Sequence, residues 1–388
     1  MKVLIIAATP YFSNRGCHIR IFQQAEGLYN KKVDVLLCTY NLGKNVGSFS
    51  IKTPGKTSWY KKTSPGFAWG KIWLDLKLLK LCVREIKRFN PDIIHSHLFE
   101  GFAVGLLAKF LSFKFKLPII IDSQGDLNSE FDSYNSNQKI AKKIFVWFSK
   151  RIINFADYVV LSSENSLYFF NRFSFLKNKI SVIKDGVDLA LYKHPKDFFS
   201  KESAKKELKE IRLWKRNKKI LIYSGGMNDS KGVFDLIKAF AGLKSFAKKR
   251  WALLLYGKGE DRKKYKRFVS DNNLQNCIKF ARESSFLELP GFLSMSDAAI
   301  EPKKESTEGS AKLVNYMAAK LPIICFDNNF NRNRLGNKGF YINNIADLES
   351  VLIRKDLKQE EYDLEKESQE AEIKKLLNVY KNILKRKQ

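Results

Sequence analysis

Short, continuous apolar runs alternate with longer amphipathic stretches along the whole chain. The runs are rich in Val, Ile and Leu, which is typical of parallel strands that are buried on both faces. The stretches between them repeat their apolar positions with the period of a helix. This alternation predicts parallel, doubly wound sheets covered by helices, an α/β fold. The predicted strands are Val3–Ala8, Val33–Cys38, Ile93–His95, Pro118–Ile121, Tyr158–Leu161, Ile180–Ile183, Ile220–Tyr223, Ala252–Tyr256, Ile278–Phe280, Ala298–Ile300 and Ile323–Phe326.

The predicted helices lie between these runs. Pro91 directly follows the second of them and marks its end, because proline cannot continue a helix. The predicted helices are Ile19–Tyr29, Ile72–Phe89, Ala103–Phe113, Lys201–Lys219, Val233–Phe240, a helix that begins near Ser310, and Tyr362–Lys387.

The alternation is interrupted once, after Asp188, by a lysine-rich helical stretch, and then restarts. A chain of 388 residues exceeds what one compact core usually holds. The pattern therefore predicts two doubly wound domains, at residues 1–190 and 191–365. The terminal helix, at about residues 366–388, carries its apolar residues on one packing face.

The chain is strongly basic, with 70 Lys and Arg against 40 Asp and Glu and a formal net charge of +30. Up to Asp188 there are 28 basic and 14 acidic residues, so both halves are basic and neither is a detachable tail. An excess of this kind favours an anionic partner: nucleic acid, anionic lipid or a phosphorylated substrate. A lysine-rich genome would produce the same excess without a partner, and the composition leaves both explanations open.

Features that would point to secretion or a membrane span are absent from the sequence. The N-terminal apolar run is broken by Pro10 and is expected to form the first buried strand rather than a signal peptide. No stretch approaches the roughly 20 apolar residues of a membrane span. The five cysteines are widely spaced, odd in number and without a metal-ligand pattern. These features predict a cytoplasmic protein with reduced thiols.

Two glycine-containing turns follow predicted strands of the second half. The first contains Gly225, Gly226 and Lys231 and leads into a helix, and the second contains Gly257 and Lys258. Glycines let a backbone approach a ligand closely, and a lysine at the mouth of such a turn can bind a diphosphate. The Gly-Lys-Ser/Thr order of a Walker A loop is absent. Taken alone, each turn is equally compatible with an ordinary solvated loop.

An acidic residue and a glycine, Glu308 and Gly309, stand directly before the helix that begins near Ser310. Free backbone N–H groups at a helix start, with the positive end of the helix dipole, form an anion site. Glu308 would then accept hydrogen bonds from sugar hydroxyls beside a bound phosphate. A capped surface helix with an acidic N-terminus is the alternative explanation.

The order of several short segments along almost the whole chain resembles the retaining GT-B glycosyltransferases of the family 4 type. The resemblance implies two Rossmann-like domains that face each other across a cleft, with the donor site in the second and the acceptor site in the first. It also implies that the terminal helix packs back on the first domain, and that no metal ion or other cofactor takes part. The segments are Pro91–His97, Ala156–Glu164, Ile183–Asp188, Tyr223–Gly232, Gly257–Glu260, Glu288–Ala298 and Glu308–Pro322.

The resemblance assigns roles in the donor site residue by residue. Lys231 matches the lysine that holds the donor diphosphate, and Glu308 matches the acid that contacts the transferred sugar. Ser310 and Ala311 would offer backbone N–H groups to the phosphate. The other expected donor-site residues are Gly225, Gly226, Gly257, Lys258, Gly309, Lys312 and Asn315.

The resemblance also assigns residues on the acceptor side. Asn14-Arg15-Gly16 matches the glycine-rich turn after the first strand, near the reaction centre. Asp122 to Gly125 matches the segment after the fourth strand, where Gln124 would take part in catalysis. His18 and His97 are expected to reach the acceptor, although a hydrogen-bonded structural role for His97 is the alternative.

Three positions depart from the family pattern. The donor arginine is replaced by Gly226, and the histidine expected near Gln124 is absent. The second glutamate of the Glu-x7-Glu motif aligns with Asn315, one residue short of the usual spacing. Asn315 can still hydrogen-bond to ribose hydroxyls, but without a charge. Because lysine does not reproduce the bidentate phosphate contact of arginine, Lys312 is the candidate to compensate.

Residues 139–151 interleave cations with large apolar side chains. On a helix, the isoleucines, Trp147 and Phe148 would share one face with lysines along its rim, which is typical of an interfacial helix on anionic lipid. The same mixture recurs at Trp59–Lys62 and Phe113–Lys116. A domain helix whose apolar side is ordinary core is the alternative. Charge alone also permits nucleic acid, but no nucleic-acid motif is present and none is expected as a partner.

Together these observations predict a cytoplasmic glycosyltransferase, peripheral on the inner face of the membrane. It would move a hexose from a nucleotide diphosphate sugar to a hydroxyl of a lipid-linked or surface glycan, with Glu308, Lys231 and Gln124 in catalysis. Two alternatives stay open. One is a catalytically degenerate scaffold that binds nucleotide or glycan, suggested by Gly226 and Asn315, and the other is a nucleotide-sugar epimerase.

Overall fold

The computed structural model describes residues 1–13, 15–55, 69–125, 139–171, 173, 176, 178–194, 202–282, 286–304, 311–358 and 360–387. The chain divides into two compact units. The first unit contains Met1–Gly186 and Gln369–Gln388, and the second contains Val187–Ser306 and Ser310–Ser368.

The first unit is built on a parallel sheet of seven strands among its described residues, in the order β3-β2-β1-β4-β5-β6-β7. Its central strands are buried along nearly their whole length, which explains their continuous apolar sequences. The strands are β1 (Lys2–Ala7), β2 (Asp34–Thr39), β3 (Ser50–Lys52), β4 (Ile93–His97), β5 (Ile119–Ser123), β6 (Tyr158–Leu161) and β7 (Ile180–Val182).

Helices cover both faces of this sheet. Successive side chains of a strand point to opposite faces, and Ile94 and Ile119 join the core beneath the second and third helices. The opposite face carries the first helix and the C-terminal helix, Gln369–Lys387, which contact each other. The other helices are α1 (Gly16–Asn30), α2 (Trp69–Phe89), α3 (Leu98–Leu111), α4 (Lys139–Ile152) and α5 (Leu167–Phe170), and a 3-10 turn follows α4 at Ile153–Phe155.

The second unit contains a parallel sheet of six strands among its described residues, in the order β10-β9-β8-β11-β12-β13. These strands are β8 (Lys219–Ser224), β9 (Trp251–Tyr256), β10 (Ile278–Phe280), β11 (Ala298–Glu301), β12 (Ile323–Phe326) and β13 (Gly339–Ile342). Its helices are α6 (Ala190–Lys193), α7 (Glu202–Lys215), α8 (Val233–Gly242), α9 (Ser245–Arg250), α10 (Arg262–Asp271), α11 (Leu289–Ser294), α12 (Ala311–Ala318), α13 (Asn329–Leu335) and α14 (Leu348–Leu352).

Both sheets have the Rossmann strand order 3-2-1-4-5-6, and the first adds a seventh strand. In this order the first and fourth strands are neighbours whose connections leave in opposite directions. A crevice opens there at the carboxyl ends of the strands, where open α/β sheets bind ligands. The switch points are β1/β4 in the first unit and β8/β11 in the second.

The predicted α/β fold with two doubly wound units is confirmed, and all eleven predicted strands are present with small shifts at their ends. Two strands were not predicted. β3 has only three residues at a sheet edge, and β13 begins with a glycine and is half-buried, so neither has a strong apolar pattern. Among the helices that the structure describes, none is both long and apolar enough to cross a bilayer.

Candidate functional site

At the switch point of the second unit, the loops after β8 and β9 run side by side. The Gly225 N–H donates to the Tyr256 carbonyl at 2.9 Å, and the Met227 N–H donates to the Lys258 carbonyl at 2.7 Å. Gly257 has φ of +139°, and a Cβ there would lie 2.0 Å from the Gly225 oxygen. Only glycine fits this position. Gly257 therefore holds the two loops together, while Gly226 and Lys258 are exposed at their tips.

Lys231 ends a 3-10 turn, Asp229–Lys231, that enters α8 through Gly232. Gly232 has φ of +73°, and a Cβ there would lie 2.2 Å from the Pro302 carbonyl oxygen, so the turn is pressed against the end of β11. The Asp229 carboxylate anchors the turn by accepting from Lys264 at 2.5 Å and from Tyr265 at 2.8 Å. The half-buried Lys231 is thus held at the carboxyl edge of the sheet, beside the switch point.

Lys312, in the first turn of α12, forms an ion pair with Glu301 at the end of β11, with an N–O distance of 2.7 Å. The ammonium also lies 5.1 Å from the centre of the Tyr223 ring, and the side chain lies against Gly225. Glu301 is buried, and Lys312 supplies an opposite charge to its carboxylate, which also accepts from the Lys303 N–H at 3.3 Å. A phosphate at this position would compete with Glu301 for the lysine.

Asn315 is only 4% exposed, and both polar atoms of its side chain are engaged. Its Oδ1 accepts a 2.6 Å hydrogen bond from the Tyr192 hydroxyl, and its Nδ2 donates to the Ala311 carbonyl at 2.6 Å. The sequence predicted that Asn315 contacts ribose. The structure gives it two internal partners within the second unit, and the ribose contact stays a prediction.

The acid and helix start that the sequence singled out, Glu308, Gly309 and Ser310, lie outside the described residues, as does Asn14 on the acceptor side. The described part of α12 begins at Ala311, which is half-buried.

In the first unit, a buried ion-pair network joins α1 to the end of β5. The Arg20 guanidinium donates two hydrogen bonds of 2.8 Å to the two carboxylate oxygens of Asp122, and a third of 2.8 Å to Asp185. Gln24, one turn further along α1, donates to Asp122 at 2.9 Å. Asp122 is fully buried, so it forms part of the core and does not offer a surface to an acceptor. The acceptor-side role that the resemblance implied for Asp122 stays a prediction.

The charges of this network stabilise one another. Burial favours the neutral form of Asp122, but the Arg20 charge outweighs it and holds the pKa of the carboxyl well below its usual range. Burial likewise opposes the charged form of Arg20, and the Asp122 and Asp185 carboxylates raise its pKa. The pair is therefore ionised at every physiological pH.

Two histidines of β4 stack against this network. The rings of His95 and His97 are parallel within 7°, with centroids 4.7 Å apart, and His95 Nδ1 is hydrogen-bonded to the Tyr380 hydroxyl of the C-terminal helix. Burial, with the charges of neighbouring His95 and Arg20, lowers the pKa of His97 to about 3, although Asp122 opposes the shift. His97 is therefore neutral, fully buried, and without a hydrogen-bond partner for either ring nitrogen among the described residues.

The ligand atoms of His95, His97 and Asp122 lie within 4.8 Å of one another, a spacing that a metal ion could bridge. However, both Asp122 oxygens already accept hydrogen bonds from Arg20, and one also accepts from Gln24. A divalent cation there would replace these bonds and lie beside a guanidinium charge. The donor set therefore fits the ion-pair network better than it fits a metal.

Above this buried layer, the structure brings Gln124 to the start of α1. Gln124 Nε2 lies 3.5 Å from the Cys17 carbonyl, next to Arg15 and Gly16, and these side chains are half-buried or exposed. At the same edge Leu98, directly after His97, has φ of +64°. A bulky residue rarely adopts this conformation, and such strain is concentrated at functional sites. Of the residues predicted for the acceptor side, Arg15, Gly16 and Gln124 are thus the accessible ones.

His18 is fully buried behind this edge. The Ser13 N–H donates to its Nδ1 at 3.0 Å, which leaves the proton on Nε2 to donate to the Thr9 hydroxyl at 2.7 Å. Burial and the nearby Arg15 charge lower the pKa of His18 to about 3. In this structure His18 fastens the loop after β1 and does not reach a surface.

Sequence reasoning missed Arg20, Gln24 and Glu301. The available signal was an acid at the end of an apolar strand, Asp122 after β5's isoleucines and Glu301 at the end of β11. A buried carboxylate requires a cation or several donors, and the residue that provides them is remote in sequence for Asp122. A second signal was the spacing of Arg20 and Gln24, two polar residues at positions i and i+4 of α1.

The chain matches two family models, Glycosyltransferase Family 4 over residues 15–191 and Glycosyl transferases group 1 over residues 204–348. It is 27% identical over 243 residues to an uncharacterized glycosyltransferase of Methanocaldococcus jannaschii, an alignment that covers 61% of this chain and 57% of that protein's length. The chain therefore spans little more than half of that relative.

Solved structures share the fold. HepE of Anabaena, in complex with UDP and glucose, superposes with a TM-score of 0.68 at 16% identity, covering 100% of this chain and 99% of that one. Sucrose-phosphate synthase of Thermosynechococcus elongatus superposes with a TM-score of 0.69 at 15% identity, covering 99% and 96%. With both halves matched by glycosyltransferase family models and the fold shared with these structures, the chain belongs to the GT-B glycosyltransferases of the family 4 type.

Proposed function

We propose that this glycosyltransferase moves a hexose from a nucleoside diphosphate sugar, UDP-sugars foremost, to a hydroxyl of a lipid-linked or surface glycan, with retention of anomeric configuration. The observation that carries the proposal is the arrangement at the β8/β11 switch point. There a glycine turn, Lys231 and the beginning of α12 converge at the carboxyl edge of the sheet.

The donor would bind with its diphosphate between the Gly225 turn and α12. Lys231 and backbone N–H groups at the helix start, Ser310 and Ala311, would stabilise the diphosphate as it takes on negative charge during departure. Glu308 would hold hydroxyls of the transferred sugar. HepE of Anabaena, which shares this fold, was solved with UDP and glucose, and this supports a uridine nucleotide as the first donor to test.

The acceptor would contact Arg15, Gly16 and Gln124, which are accessible at the edge of the first unit. Asp122 and His97 would act beneath them as positioning residues. The Arg20–Asp122 pair fixes α1 to the end of β5, and this keeps Gln124 beside the helix start. Cationic side chains and helix N–H groups would balance the negative charge of the leaving diphosphate, so the proposed mechanism needs no metal ion.

The protein would work in the cytoplasm, peripherally on the inner face of the membrane, where a lipid-linked acceptor is reached. The high basic charge supports this location.

The direct test is a thermal-shift series with UDP, GDP and ADP, followed by a screen of UDP-sugars for release of the nucleotide. A preformed site predicts a higher melting temperature, since a ligand at 100 times its Kd stabilises by about 2.7 kcal/mol. If none of the nucleotides at millimolar concentration shifts the transition, the donor site is misassigned.

A catalytically degenerate nucleotide-binding protein is the second candidate. It is favoured by the internal engagement of Asn315 with Tyr192 and of Lys312 with Glu301. The same experiment separates the two candidates: a scaffold would be stabilised by nucleotide yet would release none from any UDP-sugar, with or without acceptors.

A further inference from the structure

Three helices on one face of the first unit, α2, α3 and α4, expose large apolar side chains. α2 and α3 pack against each other. Residues of all three helices belong to the core that lies between these helices and the sheet. Sixteen large apolar residues are exposed in the described chain, and eleven lie on these helices or the segments that directly follow them. The eleven are Ile72, Trp73, Leu76, Leu107, Phe110, Leu111, Phe113, Phe115, Trp147, Phe148 and Phe155.

The densest part of this surface is the end of α3. Phe110, Phe113 and Phe115 are 62%, 76% and 55% exposed. Their rings contact one another, with centroids 5.5 Å apart for Phe110 and Phe115 and 6.1 Å for Phe113 and Phe115. Leu107 and Leu111 extend the cluster along the helix. An apolar cluster of this kind marks an interaction surface, because isolated soluble domains rarely expose one.

The end of α4 adds to the same region. The segments after α3 and α4 lead into β5 and β6, which are parallel neighbours, so both helix ends lie at the same edge of the sheet. The Lys109 ammonium, on α3, lies 3.8 Å from the Asp157 carboxylate that precedes β6. Phe155, directly after α4, therefore lies at the same edge of the sheet as the end of α3.

The exposed charged side chains described on the three helices are all cationic, and the exposed Asp92 after α2 accepts from the Lys2 N–H at 2.7 Å. On α2 and α3 the described acidic side chains are Asp75, Glu85 and Glu100, all buried or half-buried. Glu85 is paired with Arg84, and Glu100 with Lys71. The exposed cations of the face are Lys80, Arg84, Lys87, Arg88, Lys114, Lys116, Lys150 and Arg151.

We propose that this α2–α3–α4 face binds the interface of an anionic phospholipid bilayer, with the Phe110, Phe113 and Phe115 rings inserted among the headgroups. Apolar rings bordered by cations are the composition of an interfacial membrane contact. A nucleic acid would use the cations but not eleven exposed apolar side chains. A second copy of the chain would place two basic faces against each other. This proposal rests on the proposed function and assigns a surface of the first unit to the membrane location suggested there.

From sequence, the expected membrane contact was the segment 139–151 with neighbouring lysines of the first domain, and the same mixture of residues recurs at Trp59–Lys62 and Phe113–Lys116. Of that segment the side chains from residues 139 to 145 lie outside the described part, while Trp147 and Phe148 are exposed. Among the described residues, the densest apolar cluster is at the end of α3, and α4 contributes Trp147 and Phe148.

The test is flotation of the full chain with neutral phosphatidylcholine vesicles and with vesicles that contain phosphatidylglycerol. We expect binding to the anionic vesicles only. Vesicle binding should weaken as salt rises from about 50 to about 500 mM, because the Debye length shrinks. The double variant Phe113→Ser, Phe115→Ser should lower the partition coefficient about tenfold or more, since each ring contributes apolar burial. Lys114→Gln with Lys116→Gln should lower it and reduce the salt dependence.

The matched control is Leu213→Ser with Phe246→Ser, which removes two equally exposed apolar side chains from the second unit. It should bind like the wild type. Equal binding of neutral vesicles, or unchanged binding by the Phe113/Phe115 variant, would overturn the proposal. A wild-type dimer that dissociates in this variant, without vesicle binding, would instead identify a self-interface.

Nucleotide thermal shifts measured on the same variants separate this proposal from the proposed function. Loss of vesicle binding with an unchanged UDP response would support the membrane face. Vesicle binding without any nucleotide response would leave the membrane face standing and would count against the donor site.

Discussion

Arg20 and Asp122 are 102 positions apart in the sequence, yet they form a fully buried bidentate pair with both N–O distances at 2.8 Å. The pair fastens α1 to the end of β5, and Asp185 and Gln24 complete it. Two charges without solvent are stable only while each has its partner. The pair therefore couples the stability of the first unit to the geometry of its carboxyl edge.

Arg20→Met should lower the unfolding free energy of the first unit by about 3–5 kcal/mol, because Asp122 would remain buried and unpaired. Urea denaturation followed by circular dichroism measures this loss. The control is Arg332→Met, which removes a bidentate pair with Asp327 whose side chains are 48% and 32% exposed. Solvent screens an exposed pair, so its loss should change the unfolding free energy little. Equal losses in the two variants would contradict the buried role.

Acid should destabilise the first unit between about pH 6.5 and pH 3. His18 and His97 have their pKa lowered to about 3 by burial, so their contribution to stability is complete above the unfolded pKa of about 6.5. It falls as pH decreases through that window, because the unfolded state binds the protons first. Within that window, each histidine lowers the free energy of unfolding by about 1.4 kcal/mol for each pH unit of acidification.

Melting temperatures of the wild type from pH 7.5 to pH 4.5 measure this loss. His18→Asn should flatten the profile, whereas His194→Asn, at an exposed position, should leave it unchanged. An identical profile in the His18 variant would mean that this ring carries a proton in the folded state.

Lys231→Ala and Glu308→Gln should each lower kcat about 30- to 150-fold, the effect of losing a charge-assisted contact worth 2–3 kcal/mol in the transition state. Single-donor turnover assays measure this, with circular dichroism to confirm folding. Lys238→Ala is the matched control, since Lys238 is an exposed lysine of the neighbouring α8 that pairs with Asp235. Wild-type rates in both site variants would move the chemistry elsewhere.

Tyr192→Phe should lower the melting temperature by a few degrees and leave UDP affinity unchanged. The substitution removes the 2.6 Å hydrogen bond to Asn315 Oδ1 and leaves a buried acceptor without that donor, at about 1–3 kcal/mol. Calorimetric titration with UDP provides the second readout. A clear change in UDP affinity would show instead that Asn315 contacts the nucleotide, as its sequence alignment predicted.

Local patterns of the sequence were sufficient for the fold. Buried parallel strands such as β6 and β12 are continuous apolar segments, and their predicted bounds agree with the structure. The glycine turns after β8 and β9 were also recognisable, because a strand, a glycine and a helix follow one another within a few residues. β3, with three residues, and β13, which begins with a glycine and is half-buried, lacked this signal.

The sequence by itself determined two α/β units, the order of their strands and helices, and the glycine turns after β8 and β9, because each depends on neighbours along the chain. Only the tertiary structure decided which polar residues are buried and paired within the core. His95 is hydrogen-bonded to Tyr380, which is 285 positions away in the sequence. Lys312 forms an ion pair with Glu301 at the end of β11. It also decided that Phe113 and Phe115 face outward. Burial and pairing depend on what packs against a side chain, and residues distant in sequence supply that partner.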